Sequence, residues 1–70
     1  MNEILKLEEL KNDWYGRLED LTEEIEERNF EIYEATTEYI SCASKETDAE
    51  YIIRLGGTER TITIESIREI

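Results

Sequence analysis

The chain has 70 residues, of which 19 are acidic, 8 are basic and none is histidine, so its formal net charge is −11 at pH 7. Without histidine, serine triads, cysteine–histidine pairs and most zinc sites lack an essential member. A single cysteine, Cys42, excludes an intrachain disulfide and favours a reducing, cytoplasmic setting. The acidic balance argues against direct nucleic-acid binding, and no apolar run approaches the length of a membrane span. We expect one small domain over residues 1–70.

The first part of the chain, residues 3–43, has apolar residues at helical spacing. They follow a heptad series that no proline interrupts. This pattern predicts one amphipathic helix, or a helical hairpin folded back at Gly16 or Asn29, with Asn2 as the N-cap. A strand at residues 29–43 is the alternative, but apolar and acidic residues would then share a face. The residues expected to form the core or a homodimer seam are Ile4, Leu7, Trp14, Leu18, Leu21, Ile25, Ile32 and Tyr39.

The second part of the chain has the clearest local signal. Two β-branched runs, residues 50–55 and 60–64, flank a turn at residues 56–59 that contains two glycines. This arrangement predicts a two-stranded antiparallel β-hairpin that packs on the helical part. The predicted fold class is therefore α+β, and its segments are the helical part 3–43, a linker 44–49, the hairpin 50–64 and a tail 65–70 that extends the strand or adds a helical turn.

Negative charge is concentrated in the middle of the chain. Residues 19–38 contain nine acids and one base, a net charge of −8. On a continuous helix these positions would span about 30 Å, with a charge density close to that of one DNA strand. Such a face would be complementary to the basic groove of a nucleic-acid-binding protein. The residues assigned to this predicted partner-binding face are Asp13, Asp20, Glu23, Glu24, Glu27, Glu31, Glu34 and Glu38.

Two alternatives remain for these patterns. The acids could serve only as a solvated helix face, and the heptad stripe would then act as a coiled-coil or adaptor surface for a partner helix. A masking protein of the antitoxin type would also cover a basic surface, but would fold only on binding. Charge reversal in the acidic face separates these alternatives, because only the masking functions depend on it.

Catalysis finds little support in the sequence. Glu23, Glu24 and Glu27 match one half of the carboxylate signature with which helical nucleoside triphosphate pyrophosphohydrolases hold magnesium, but the second half is absent. No calcium loop of the EF-hand type occurs. We therefore expect no enzymatic activity, no metal and no cofactor.

At the level of a class, the small size, strong acidity and lack of catalytic groups resemble the small inhibitors that phages and other mobile elements direct against host nucleic-acid enzymes, including DNA mimics and anti-CRISPR proteins. The resemblance covers composition over the whole chain and carries no sequence motif. It implies a protein that acts in the host cytoplasm by covering the DNA or RNA site of a basic partner such as a defence nuclease.

Overall fold

In a computed structural model, which describes residues 3–58 and 60–70, the chain forms an antiparallel sheet of five strands that curls around two short α-helices. The strands follow one another as a meander from β2 to β5, and β1 joins the far side of β5, so the sheet order is β1-β5-β4-β3-β2. The elements are α1 (Ile4–Glu8), a 3₁₀ helix (Glu9–Asn12), β1 (Trp14–Tyr15), α2 (Leu18–Glu27), β2 (Phe30–Ala35), β3 (Tyr39–Ser44), β4 (Glu50–Thr58) and β5 (Thr61–Glu69).

One apolar core lies between the helices and the inner face of the sheet. Leu7 and Leu10 from the N-terminal helices and Leu21 and Ile25 from α2 supply the helical side. Each side chain of this size contributes about 1.5–3 kcal/mol when it is withdrawn from water. The strands supply the other side, with Phe30, Ile40, Cys42, Tyr51, Ile53, Leu55, Ile62 and Ile64.

Two irregularities in the sheet keep apolar residues on its inner face. Opposite residues of an antiparallel pair lie on the same face, so the register shows which residues share it. In β2, Ile32 pairs with Cys42 and Glu34 with Ser41, which leaves Tyr33 as the extra residue of a bulge. In β5, Glu65 is the extra residue, and it brings Ile67 to the same face as Ile64.

The predicted α+β class, with a helical part over residues 3–43, is wrong, because the fold is mostly β and is built on one five-stranded antiparallel sheet. Only Ile4–Glu8 and Leu18–Glu27 are α-helical in that range, and its last third forms β2 and β3. Asn29 ends α2 because it adopts a left-handed conformation with φ of 69°, which continues no helix. The argument against strands failed because it assumed one unbroken strand, whereas the bulge at Tyr33 and the turn after Ala35 each change the face on which the following residues lie.

The predicted hairpin corresponds to β4 and β5, but these are two of five strands and not a separate unit. Both strands are longer than predicted, since Gly56 and Gly57 pair with Thr63 and Ile62 inside the sheet and do not form the turn. The tail extends β5 to Glu69. Asn2, the predicted N-cap, and Glu59 in the predicted turn lie outside the described residues.

Candidate functional site

The outward side of α2 carries a dense group of carboxylates. Its ten residues include six acids and no base. Leu18, Leu21 and Ile25 recur at intervals of three and four residues and turn one side of the helix to the core, which leaves the acids to project from the other sides. We call these six residues the α2 acidic face: Glu19, Asp20, Glu23, Glu24, Glu26 and Glu27.

Little within the described chain compensates this charge. Arg28 Nη1 lies 2.8 Å from Glu24 Oε2, and this is the single ion pair found among the described residues. Arg28 also donates to the carbonyl oxygen of Glu24, so the arginine closes the end of the helix and neutralises one carboxylate. Over a helix of about 15 Å, six acids give about one charge per 2.5 Å, which lies between the axial densities of single-stranded and duplex DNA.

The predicted partner-binding residues lie on more than one surface. Asp20, Glu23, Glu24 and Glu27 are together on α2, on the helical side of the sheet. Glu31 and Glu34 are exposed on the outer side of β2, and Glu38 lies in the turn before β3. Asp13 precedes β1. Burial is the largest cause that raises the pKa of the Tyr15 phenol, and the charges of Asp13 and Glu24 add to it. The structure therefore replaces one predicted stripe with two acidic surfaces on either side of β2.

The predicted apolar residues also separate. Leu7, Leu21 and Ile25 are fully buried. Ile4, Leu18 and Ile32 pack against the core from its margin. Trp14 is 68% exposed, and Tyr39 is half-buried on the outer face of the sheet opposite Arg54. No continuous heptad seam remains, because its members come from two helices and three strands.

A groove borders the acidic residues where α2 meets β2. It has a volume of about 510 Å³ and is lined by Thr22 and Glu26 of α2, by Phe30, Glu31, Ile32 and Ala35 of β2, and by Lys45. The groove follows β2, which is the last strand of the sheet. Glu26 was missed from the sequence because it was assigned to no face. The groove itself depends on the β2 edge, which a helical interpretation does not contain.

The carboxylate of Glu3 anchors the N-terminal segment through hydrogen bonds. Glu3 accepts hydrogen bonds from Ser44 Oγ at 3.0 Å, Thr47 Oγ1 at 3.0 Å and Tyr51 OH at 3.4 Å. The bond from Thr47 is the largest cause that lowers the pKa of Glu3. This network ties the start of α1 to the β3–β4 connection and is structural, since all its partners come from the chain itself.

Other sites that would indicate chemistry are not evident in the described residues. They contain no cluster of three acidic, cysteine or histidine side chains arranged to hold a metal ion. Burial raises the pKa of the Cys42 thiol to about 11, so this side chain is an inert part of the core at neutral pH. None of the described helices has the length and apolarity that crossing a bilayer requires.

Comparisons with protein-family models, curated proteins and solved structures gave no match to this chain. The α2 acidic face and the groove beside it, which meet at β2, are the features that bear on function.

Proposed function

We propose that the protein is a non-enzymatic inhibitor that binds a basic nucleic-acid-binding protein and covers its DNA or RNA site with the α2 acidic face. The observation that supports this function best is the presence of six carboxylates on ten residues with one compensating arginine. Long-range attraction from such a surface speeds encounter with a basic groove, and the charge spacing matches what that groove binds.

The arrangement of charge on α2 supports a binding role for this surface. Glu23 has acidic neighbours at Glu19 and Glu27, four residues away on either side, and each like-charge pair costs a helix a few tenths of a kcal/mol. Lysine at alternate positions would keep the helix soluble and would also stabilise it. The cost that the helix carries is explained if the uninterrupted negative charge has a binding role. The buried, unpaired Cys42 suits the cytoplasmic setting that we include in the proposal.

A capture experiment with matched charge variants tests this function. The first bait carries Glu23→Lys and Glu27→Lys, which removes exposed acids of α2 without touching the Arg28 pair. The control bait carries Glu8→Lys and Glu9→Lys, an equal charge change at exposed helical positions on the N-terminal segment. We expect wild type and control to retain the same nucleic-acid-binding protein from a cell lysate, to lose it when DNA or RNA is added, and to hold it at least about tenfold more tightly than the first bait does.

Two results would contradict the proposal. If both variants lose the partner equally, binding depends on net charge and not on the α2 acidic face. If the Glu23→Lys, Glu27→Lys bait retains the partner in full, the acids serve solvation alone.

A further inference from the structure

The edge of the sheet at β2 has free backbone groups. Hydrogen-bonded and non-hydrogen-bonded pairs alternate along an antiparallel ladder. The Lys45 amide donates to the Asn29 carbonyl at 3.0 Å, and the Thr36 amide donates to the Tyr39 carbonyl at 2.8 Å, so these two pairs are bonded ones. Counting inward from either pair, the N–H and C=O groups of Phe30, Ile32 and Ala35 point away from β3. Phe30 is only 1% exposed, so its backbone is covered by the chain, whereas Ile32 and Ala35 are half-buried. Within the described part of the chain no turn bonds to the outward groups of Ile32 and Ala35.

The side chains along this edge present two different chemistries. Phe30, Ile32 and Ala35 face the inner side of the sheet and line the groove beside α2. Glu31 is exposed on the outer side and also borders the groove, and Glu34 follows it after the bulge. Glu26 stands on the opposite wall of the groove, and Lys45 is the one base among the lining residues. The free edge is therefore apolar on its inner side and acidic on both flanks.

From this combination we infer that β2 accepts an extended segment of a partner protein as a sixth strand, and that the segment alternates basic and apolar residues. Its backbone would bond to the free groups of Ile32 and Ala35. Its apolar side chains enter the groove against Ile32 and Ala35, and its lysines or arginines lie opposite Glu31 and Glu34. This inference rests on the proposed function for the basic character of the partner, and it adds the conformation in which part of that partner is bound.

A second copy of the chain is a poor occupant of the same edge. Two β2 strands paired with each other would bring Glu31 and Glu34 of both copies together, and like charges opposite each other in a sheet are destabilising. A basic segment would be stabilised instead, because the lysines on its outer side would lie opposite Glu31 and Glu34. Charge complementarity therefore selects a basic partner over self-association.

Residue-resolved amide hydrogen exchange tests strand addition directly. The probe is a synthetic peptide of six residues, the length of β2, in which lysine and valine alternate. We expect the peptide to protect the amides of Ile32 and Ala35, because without a sixth strand these amides donate to water and exchange with it. The amide of Glu31 already points to β3 and should change little. A peptide with N-methyl groups on alternate amides, and one in which glutamate replaces lysine, should both fail to protect them.

A charge variant gives an independent measurement. Replacing Glu26→Lys and Glu31→Lys reverses charge on both flanks of the groove, and we expect peptide affinity to fall about tenfold. The Glu8→Lys, Glu9→Lys control should bind as wild type does. A thermal melt of each variant establishes that it is folded before binding is measured.

The outcomes separate this inference from the proposed function. If the peptide binds but perturbs only Glu23 and Glu27, or if it does not bind at all, strand addition is wrong and the α2 acidic face can still act alone. Protection of Ile32 and Ala35 that rises with protein concentration in the absence of peptide would show that a second copy occupies the edge, which also overturns the inference. If the edge amides are protected by peptide while capture is indifferent to Glu23 and Glu27, the inference stands and the proposed function falls.

Discussion

Asn29 keeps the α2 acidic face next to the acids of β2. Its left-handed backbone ends α2 and starts β2 immediately, and its amide donates to the carbonyl of Glu26 at 3.1 Å. Asparagine tolerates this conformation far better than most residues. Because the reversal takes so few residues, Glu26 and Phe30 border the same groove. A longer connection would separate α2 from the free edge of β2.

At position 57 in β4, glycine is needed for a steric reason. Its φ is +90°, and a side chain there would collide with the carbonyl oxygen of Thr61 across the hairpin. Glycine is therefore needed for the close approach of the two strands, and not for the turn that the sequence predicts at this position.

Glu3 gives a prediction for the dependence of stability on pH. Its pKa is lowered below the ordinary value of 4.5, with the hydrogen bond from Thr47 as the largest cause, so the folded state favours the carboxylate. The stability that Glu3 contributes is complete above pH 4.5 and is lost as pH falls through the lowered folded value. We expect Glu3→Gln to reduce the thermal midpoint by a few degrees at pH 7 and to make its decline below pH 4.5 shallower than in wild type. Calorimetry at a series of pH values checks this, and parallel curves for the two proteins would contradict it.

Among the elements, α2 carries acids that we propose for binding but that destabilise the helix itself. Acids near the C-terminus of a helix oppose its dipole, and the last turn of α2 contains no base. The apolar spacing of Leu18, Leu21 and Ile25 holds the helix in place by packing on the core. Its outward residues are thus free to serve a partner at some cost to the fold.

The conflict predicts that one substitution moves stability and binding in opposite directions. Glu27→Lys puts a cation at the favourable end of the dipole and four residues after Glu23, so it should stabilise the protein by about 0.5–1 kcal/mol and raise the midpoint by a few degrees. The same change should weaken partner binding. Glu19→Lys is the matched control in the first turn, where the dipole favours the acid, and it should give no such gain. A melt in which Glu27→Lys is less stable than wild type would contradict this view of α2.

Some of these elements are predictable from the sequence, and others are not. The β-branched runs at residues 50–55 and 60–64 located β4 and β5, and the spacing of Leu21 and Ile25 identified the inner side of α2. A strand at residues 29–43 was rejected because the bulge in β2 and the turn after Ala35 break the alternation across that range. The free edge and its groove were missed with it, since both are properties of strand order and not of any local pattern.

The whole molecule distributes its charge unevenly. The acids of α2 and β2 flank one edge of the sheet, whereas Arg54 and Arg68 lie on β4 and β5 away from that edge. Association with a basic partner would relieve repulsion among the acids, and it would bury a free strand edge, which is otherwise a liability for aggregation. A homodimer stays a prediction, but no heptad seam is available to form it.

The measurement that tests occlusion most directly is competition between this protein and a labelled oligonucleotide for the captured partner. We expect wild type and the Glu8→Lys, Glu9→Lys control to displace the oligonucleotide. We also expect the affinity of the partner for each ligand, measured separately, to fall steeply as salt rises, because both bind the same cationic groove. The Glu23→Lys, Glu27→Lys variant should need at least about ten times more protein. If the oligonucleotide stays bound when the partner is saturated with wild type, the α2 acidic face does not cover the nucleic-acid site and the proposed function is wrong.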